Sequence, residues 1–189
     1  MTRHITRLRD GWKFTRNPDA APLGLECDDS NWEAVQVPHD WAIAGPFDRE
    51  HDMVTRVRKG QADVEAGTIQ ITGRSGGLPH IGEGWYRKEL EIPASSAGRV
   101  FRLECDGIMS HSTVTCNGEC VGSWPYGYTS FAFDLTPFVQ PGERNLIAVH
   151  VNNPGSSSRW YPGAGIYRNV RLVELDPVHI DLWGVEITT

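Results

Sequence analysis

No stretch of the 189 residues approaches the ~20 consecutive apolar residues that a membrane-spanning helix needs. The opening Met1-Thr-Arg-His-Ile-Thr-Arg-Leu-Arg-Asp10 also lacks the apolar core of a signal peptide. The chain is therefore expected to stay in the cytoplasm, with no membrane partner. A basic surplus is missing as well. Eighteen Lys and Arg stand against 24 Asp and Glu, a net charge of −6, and the basic residues are scattered, which argues against a nucleic-acid partner. No window of about ten or more residues keeps apolar residues at i, i+3, i+4 and i+7, so no long helix is predicted. Internal repeats and low-complexity tracts are absent too.

The usual marks of catalytic chemistry are equally scarce. There is no C-x-x-C pair, no H-x-H and no H-E-x-x-H, so no metal site and no cofactor is expected. A serine nucleophile wants a G-x-S-x-G elbow between strand and helix, and none occurs. Glycoside hydrolysis needs two carboxyl groups about 5–9.5 Å apart. The available pairs, Asp28-Asp29, Asp48 with Glu50 and Glu89 with Glu91, read as solvated charge in loops or on wet strand faces. The chain by itself carries no complete active site. Its four cysteines are Cys27, Cys105, Cys116 and Cys120. The closest two flank Asn117-Gly118, a strong signal for a two-residue hairpin turn. That turn sets Cys116 opposite Glu119 and Cys120 opposite Thr115, on different faces, so the two cannot easily pair. Four reduced thiols fit a reducing compartment.

What is present is turn-forming and aromatic: 20 Gly, 12 Pro and 7 Trp, a composition that leans to an all-β fold. Trp85 to Ile92 alternates Tyr86, Leu90 and Ile92 against Arg87, Glu89 and Glu91, which predicts a strand with one wet face. Val100–Cys105 alternates with Phe101, Leu103 and Cys105 inward. Ser112–Cys116 and Glu119–Trp124 form the Asn-Gly hairpin, Phe131–Leu135 follows, and Arg144–Asn153 is apolar enough for a central strand. Gly165 to Leu175 alternates until Pro177, and 178–189 reads as one more strand, ending as if another domain followed. Short strands at roughly 8–12 residue spacing argue for a jelly-roll β-sandwich. Residues 15–30 read as a surface loop, and 48–83 as an extra hairpin followed by a glycine-rich loop, Gly73–Gly84, long enough to be functional. The segment 152–167 interrupts two good strands, and its prolines and glycines forbid regular pairing. It either presents Arg159, Trp160 and Tyr161 on a loop or uses Trp160 as a core plug with Arg159 solvated.

A resemblance rests on motifs spread along the chain: Val37-Pro-His-Asp-Trp41, Gly82-Glu-Gly-Trp-Tyr-Arg-Lys88, Asn117-Gly118 with Val121-Gly122, Tyr126-Gly-Tyr128, Phe131-Ala-Phe-Asp-Leu-Thr136, Ser158-Arg-Trp-Tyr-Pro-Gly-Ala-Gly-Ile-Tyr-Arg-Asn-Val170 and Trp183-Gly184. In this order they resemble the N-terminal jelly-roll, or sugar-binding, domain of glycoside hydrolase family 2, a galactose-binding-domain-like fold. Within that family they are most similar to the β-galactosidases. The resemblance implies a larger enzyme in which an immunoglobulin-like sandwich and a (β/α)8 barrel follow, the barrel bearing the two glutamates of a retaining mechanism. Residues 1–177 would then be the jelly roll, and 178–189 the linker and first strand of the second domain. The C-terminal domains of the same polypeptide and a terminal β-galactoside are the implied partners, and the full enzyme has room to form a homo-oligomer. The family's sugar-contacting position, six residues before the glycine of Gly-Ile-Tyr, falls on Arg159, where several relatives carry aspartate. Trp160 beside it, Asp40 and Trp41, and His80 and Glu83 in the glycine-rich loop complete the implied substrate-binding set. Asp40 and Trp41 would equally serve to anchor that loop. A free-standing carbohydrate-binding module, a purely structural domain, or the matching domain of a β-glucuronidase or β-mannosidase stand as alternatives.

Overall fold

The computed structural model describes residues 2–16, 21–58, 60, 67–72, 76–155 and 163–188. Twelve strands are found among them: β1 (Arg3–Arg7), β2 (Trp12–Thr15), β3 (Glu33–Val35), β4 (Met53–Arg58), β5 (Gly67–Thr72), β6 (Gly82–Glu91), β7 (Val100–Cys105), β8 (Ser112–Cys116), β9 (Glu119–Trp124), β10 (Phe131–Asp134), β11 (Arg144–Asn153) and β12 (Val170–Leu175). Three single turns of 3-10 helix, at Trp41–Ala44, Arg49–Asp52 and Ala94–Ser96, are the helical structure among the described residues. A four-stranded sheet in the order β1-β12-β7-β10 faces a six-stranded sheet in the order β3-β2-β6-β11-β8-β9, and β4 with β5 forms a separate hairpin. The fold is an all-β jelly-roll sandwich.

Alternation explains why the sheets close on each other. From β7, Phe101, Leu103 and Cys105 point inward; from β6, Tyr86 and Leu90; from β11, Ile147, Val149 and Val151. All are buried, and each side chain of this size contributes about 1.5–3 kcal/mol by leaving water. The hairpin register is the one the Asn-Gly turn dictates, with Cys116 opposite Glu119 and Thr115 opposite Cys120. Asn117 and Gly118 hold φ of 51° and 87°, the left-handed values that such a turn requires. All four cysteines are free.

Four expectations need correction. Arg87 is not on a wet face: it is 2% exposed, because residues 21–32 cross the outer side of the six-stranded sheet and cover it. Its Nη1 donates to Pro22 O at 2.6 Å and Gly24 O at 2.8 Å, and its Nε donates to Asp29 Oδ2 at 2.8 Å. The 15–30 loop is thus, over its described part, a strap fastened by one arginine. Second, β12 begins at Val170 rather than Gly165, because residues 164–166 are occupied in pairing elsewhere. Third, β1, β2 and β3 are strands that alternation did not reveal; β1 is an edge strand exposed at every residue, held by its backbone to β12. Fourth, residues 178–188 form no strand. They leave Val178, Ile180, Trp183, Val185 and Ile187 exposed, while Asp181 accepts a hydrogen bond from Arg102 on the outer face of the four-stranded sheet.

Candidate functional site

The prolines and glycines between β11 and β12 break the ladder, and the chain on either side of that break is clamped by buried polar groups. Asn153, the last residue of β11, is fully buried. Its Nδ2 donates to His80 O at 2.8 Å and to Gly163 O at 3.1 Å, while its Oδ1 accepts from Ser110 Oγ at 3.2 Å. Every polar atom of this amide is therefore satisfied, the condition under which burying it is tolerable. One side chain thus ties the residue entering the break to the residue leaving it.

The exit is gripped a second time by the Val37-Pro-His-Asp-Trp41 motif. His39 N donates to Ile166 O at 2.8 Å, and Trp41 N donates to Ala164 O at 3.0 Å. Between them the half-buried Asp40 turns its Oδ1 to accept from Ala164 N at 3.0 Å and from Ala42 N at 2.9 Å. The second of these caps the turn at Trp41–Ala44. Burial raises the Asp40 carboxyl above its ordinary value, opposed by the two backbone bonds and by His39 and His80. On its other side, Gly165 exchanges backbone bonds of 2.9 Å in both directions with Met109. Gly165 has φ of 111°, and a Cβ there would collide with Tyr86 Oη. This is the physical content of the Gly-Ile-Tyr motif: only glycine lets the returning chain lie against the core tyrosine.

Aromatic rings floor this region. Trp41, 5% exposed, stacks on Phe14 with centroids 5.7 Å apart and planes at 20°, and the Arg16 guanidinium lies 5.6 Å from its ring centre. Gly84 makes room for it, since a Cβ would fall 2.7 Å from the indole. Trp41 Nε1 is buried and meets no acceptor among the described residues. His39 lies 4.8 Å from Phe14, centroid to centroid, with its Nδ1 2.8 Å from Tyr86 Oη, and burial pulls its pKa down.

The structure thus brings Asp40, Trp41 and His80 together around the clamp. It does not bring Glu83 there. Glu83 lies on the opposite face of β6, where its Oε2 is 2.9 Å from His150 Nε2, and His150 stacks on Trp85 at 4.4 Å. Arg159 and Trp160 lie outside the described residues. Among the described residues no three His, Cys, Asp or Glu side chains gather in a way that could hold a metal ion.

A family model described as the sugar binding domain of glycosyl hydrolases family 2 matches residues 5–176. The chain belongs to glycoside hydrolase family 2. It is 41% identical over 162 residues to the β-galactosidase BoGH2A of Bacteroides ovatus, covering 85% of this chain and 17% of that protein. It is 37% identical over 177 residues to a putative β-glucuronidase of Formosa agariphila, covering 92% and 15%. A crystal structure of a family 2 member from Bacteroides cellulosilyticus superposes with a TM-score of 0.80 at 33% identity, over 95% of this chain and 21% of that one. The chain therefore spans about a sixth of the length of these curated relatives. As a family 2 sugar-binding domain it presents residues that the motifs did not single out, namely Asn153 and Ser110. An asparagine closing a long apolar strand, just before a Pro-Gly break, was the signal available for the first. Ser110 had none.

Proposed function

We propose that this chain is the non-catalytic N-terminal domain of a retaining exo-β-glycosidase of β-galactosidase type, and that its break between β11 and β12 walls the substrate pocket, with Arg159 turned to the terminal sugar. The observation that carries this reading is the double clamp, Asn153 at one end and Asp40 at the other. Such fixed ends are what a loop needs to hold a recognition residue in one place, because ordering it in advance removes an entropic cost from binding. The acid/base and nucleophile would come from later domains of the same polypeptide. Exposed Val178, Ile180, Trp183, Val185 and Ile187 support a continuation that covers them, and residues 178–189 are the linker into it.

A β-glucuronidase is the second reading, favoured by the 37% identity to a protein so described and by a cation at position 159. Parallel assays on nitrophenyl β-galactoside and β-glucuronide separate the two. The longer protein should turn over the galactoside faster and with retention, and the 189-residue chain should turn over neither, lacking the carboxyl pair. Faster glucuronide turnover replaces the first reading by the second. A reading frame that stops at Thr189 would favour a free-standing carbohydrate-binding module.

A further inference from the structure

A cleft of about 270 Å³ opens between residues 109–111 and 125–128, lined by Met109, Ser110, His111, Tyr126, Gly127 and Tyr128 together with Pro125. Tyr126 is 54% exposed and meets Tyr128 edge-on, with ring centroids 5.5 Å apart. An aromatic ring left half in water is ordinarily mobile, yet the backbone that carries this one is pinned from three sides. His111 N donates to Pro125 O at 3.1 Å, Tyr167 Oη to Gly127 O at 2.7 Å, and Arg168 Nη1 to Tyr128 O at 3.3 Å. Gly127 lets the two segments approach closely, since a Cβ there would displace the Met109 side chain and crowd its backbone. The cleft is thus built before any ligand arrives.

Its polar group has a defined proton arrangement. Asn153 spends both amide protons on His80 O and Gly163 O, so its Oδ1 needs a donor, and Ser110 Oγ stands 3.2 Å away. Ser110 has one proton, and its two other acceptors in reach are Asn152 O at 3.2 Å and His111 Nδ1 at 3.0 Å. With the serine proton directed to Asn153, the 3.0 Å contact is made by His111 Nδ1–H donating to Ser110 Oγ. In that tautomer Nε2 is the ring's acceptor. His111 holds φ of 42°, a left-handed value that asparagine tolerates better than other residues bearing a side chain.

We infer that this cleft is a carbohydrate subsite that takes one pyranose ring, its C–H face laid on Tyr126 and one hydroxyl donating to His111 Nε2. The volume, near the lower end of the ~300–1,000 Å³ of ligand pockets, suits one ring rather than a longer chain. An apolar aromatic wall with a single convergent acceptor matches a pyranose, which has one apolar face and a rim of hydroxyl donors. The choice of carbohydrate rests on the family reading above; the place of the site does not.

The test is an NMR titration of the 189-residue chain with methyl β-galactopyranoside up to about 50 mM, a range that reaches the millimolar affinity expected of a small open site. Expected are saturable shifts of the Tyr126 and Tyr128 ring resonances and upfield ring-current shifts of the sugar's C–H protons. Tyr126→Ala should weaken binding about fivefold or more, while Tyr126→Phe keeps it within about twofold. His111→Asn, which fits the backbone and removes the Nε2 acceptor, should weaken it severalfold. Shifts that survive Tyr126→Ala, no saturable shift at either tyrosine, or stronger shifts with a proline-rich peptide each overturn the inference. Glycosidase assays of the longer protein are read separately. Turnover without shifts at Tyr126 sinks the cleft alone, and shifts without turnover sink the enzyme reading alone.

Discussion

Asp40 accepts a hydrogen bond from Ala164 N across 124 residues of chain, at 3.0 Å. One carboxylate oxygen therefore caps its own local turn and holds the point at which the chain returns from the break after β11. Gly163 must be glycine beside it, since a Cβ would fall 2.7 Å from Asp40 Oδ2. Asp40 is thus a positioning residue for whatever that break presents.

Asp40→Ala should cost about 2–4 kcal/mol, because two backbone N–H groups lose their acceptor in a half-buried place. Asp40→Asn keeps an acceptor at Oδ1 and should cost less. The pH dependence separates the two roles of the charge. Burial raises the folded carboxyl above the ordinary 3.8, so the folded chain binds this proton more tightly than the unfolded one. The stability from this group is full below the unfolded value and is lost as pH rises through the folded one. Melting temperatures of parent and Asp40→Asn, compared from about pH 3.5 to 7, should therefore shift against the parent as pH rises. A difference that moves in the parent's favour would mean that bonding, not burial, governs the carboxyl.

Arg87 fastens the strap of residues 21–32 from beneath, with Asp29 as its counter-charge and the Trp32 ring 6.0 Å from its guanidinium. Arg87 is buried while Asp29 is partly exposed, so Arg87→Ala strands no fully buried charge but does leave the carbonyls of Pro22 and Gly24 without their donor, and should cost about 2–4 kcal/mol in urea unfolding. Arg87→Lys restores the charge without the planar fork that reaches Asp29, Pro22 and Gly24 at once, and should recover only part of the loss. A loss below about 1 kcal/mol for Arg87→Ala would show that the strap holds without it.

Local rules sufficed where partner and turn are adjacent in sequence. Asn117-Gly118 fixed the register of β8 on β9, and the apolar run Leu146–Val149 with Val151 marked the central strand. They failed where the partner is remote. Nothing near Arg87 announces that a loop 58 residues upstream will cover it, so period-two alternation placed it in water. The exposed side chains of β1 hide a strand whose attachment is entirely backbone. Gly165 was legible as part of a motif, but the reason for it, Tyr86 Oη in the place a Cβ would take, exists only in three dimensions. Glu83 followed from its place beside glycines, and the pleat carries it to the other face of β6.

The clamp gives the proposed role of Arg159 a measurable signature. Because Asn153 holds Gly163 and Asp40 holds Ala164, loss of a sugar contact at position 159 and loss of these anchoring bonds are different events. A hydrogen bond from a charged group is worth roughly 1.5–3 kcal/mol. If the Arg159 guanidinium tightens on the sugar as the ring distorts toward its oxocarbenium-like transition state, Arg159→Ala in the longer enzyme should lower kcat/KM on a galactoside about tenfold to 150-fold. Its melting temperature should stay within about 2 °C of the parent's, since the anchoring bonds remain. Arg159→Lys should recover only part of the activity. Asp40→Ala serves as the contrast, lowering both activity and melting temperature, because it releases the residue that receives the returning chain. Arg159→Ala with kinetics within about twofold of the parent and unchanged stability would remove this residue from the sugar's surroundings. A fall in melting temperature as large as that of Asp40→Ala would make it part of the anchor instead.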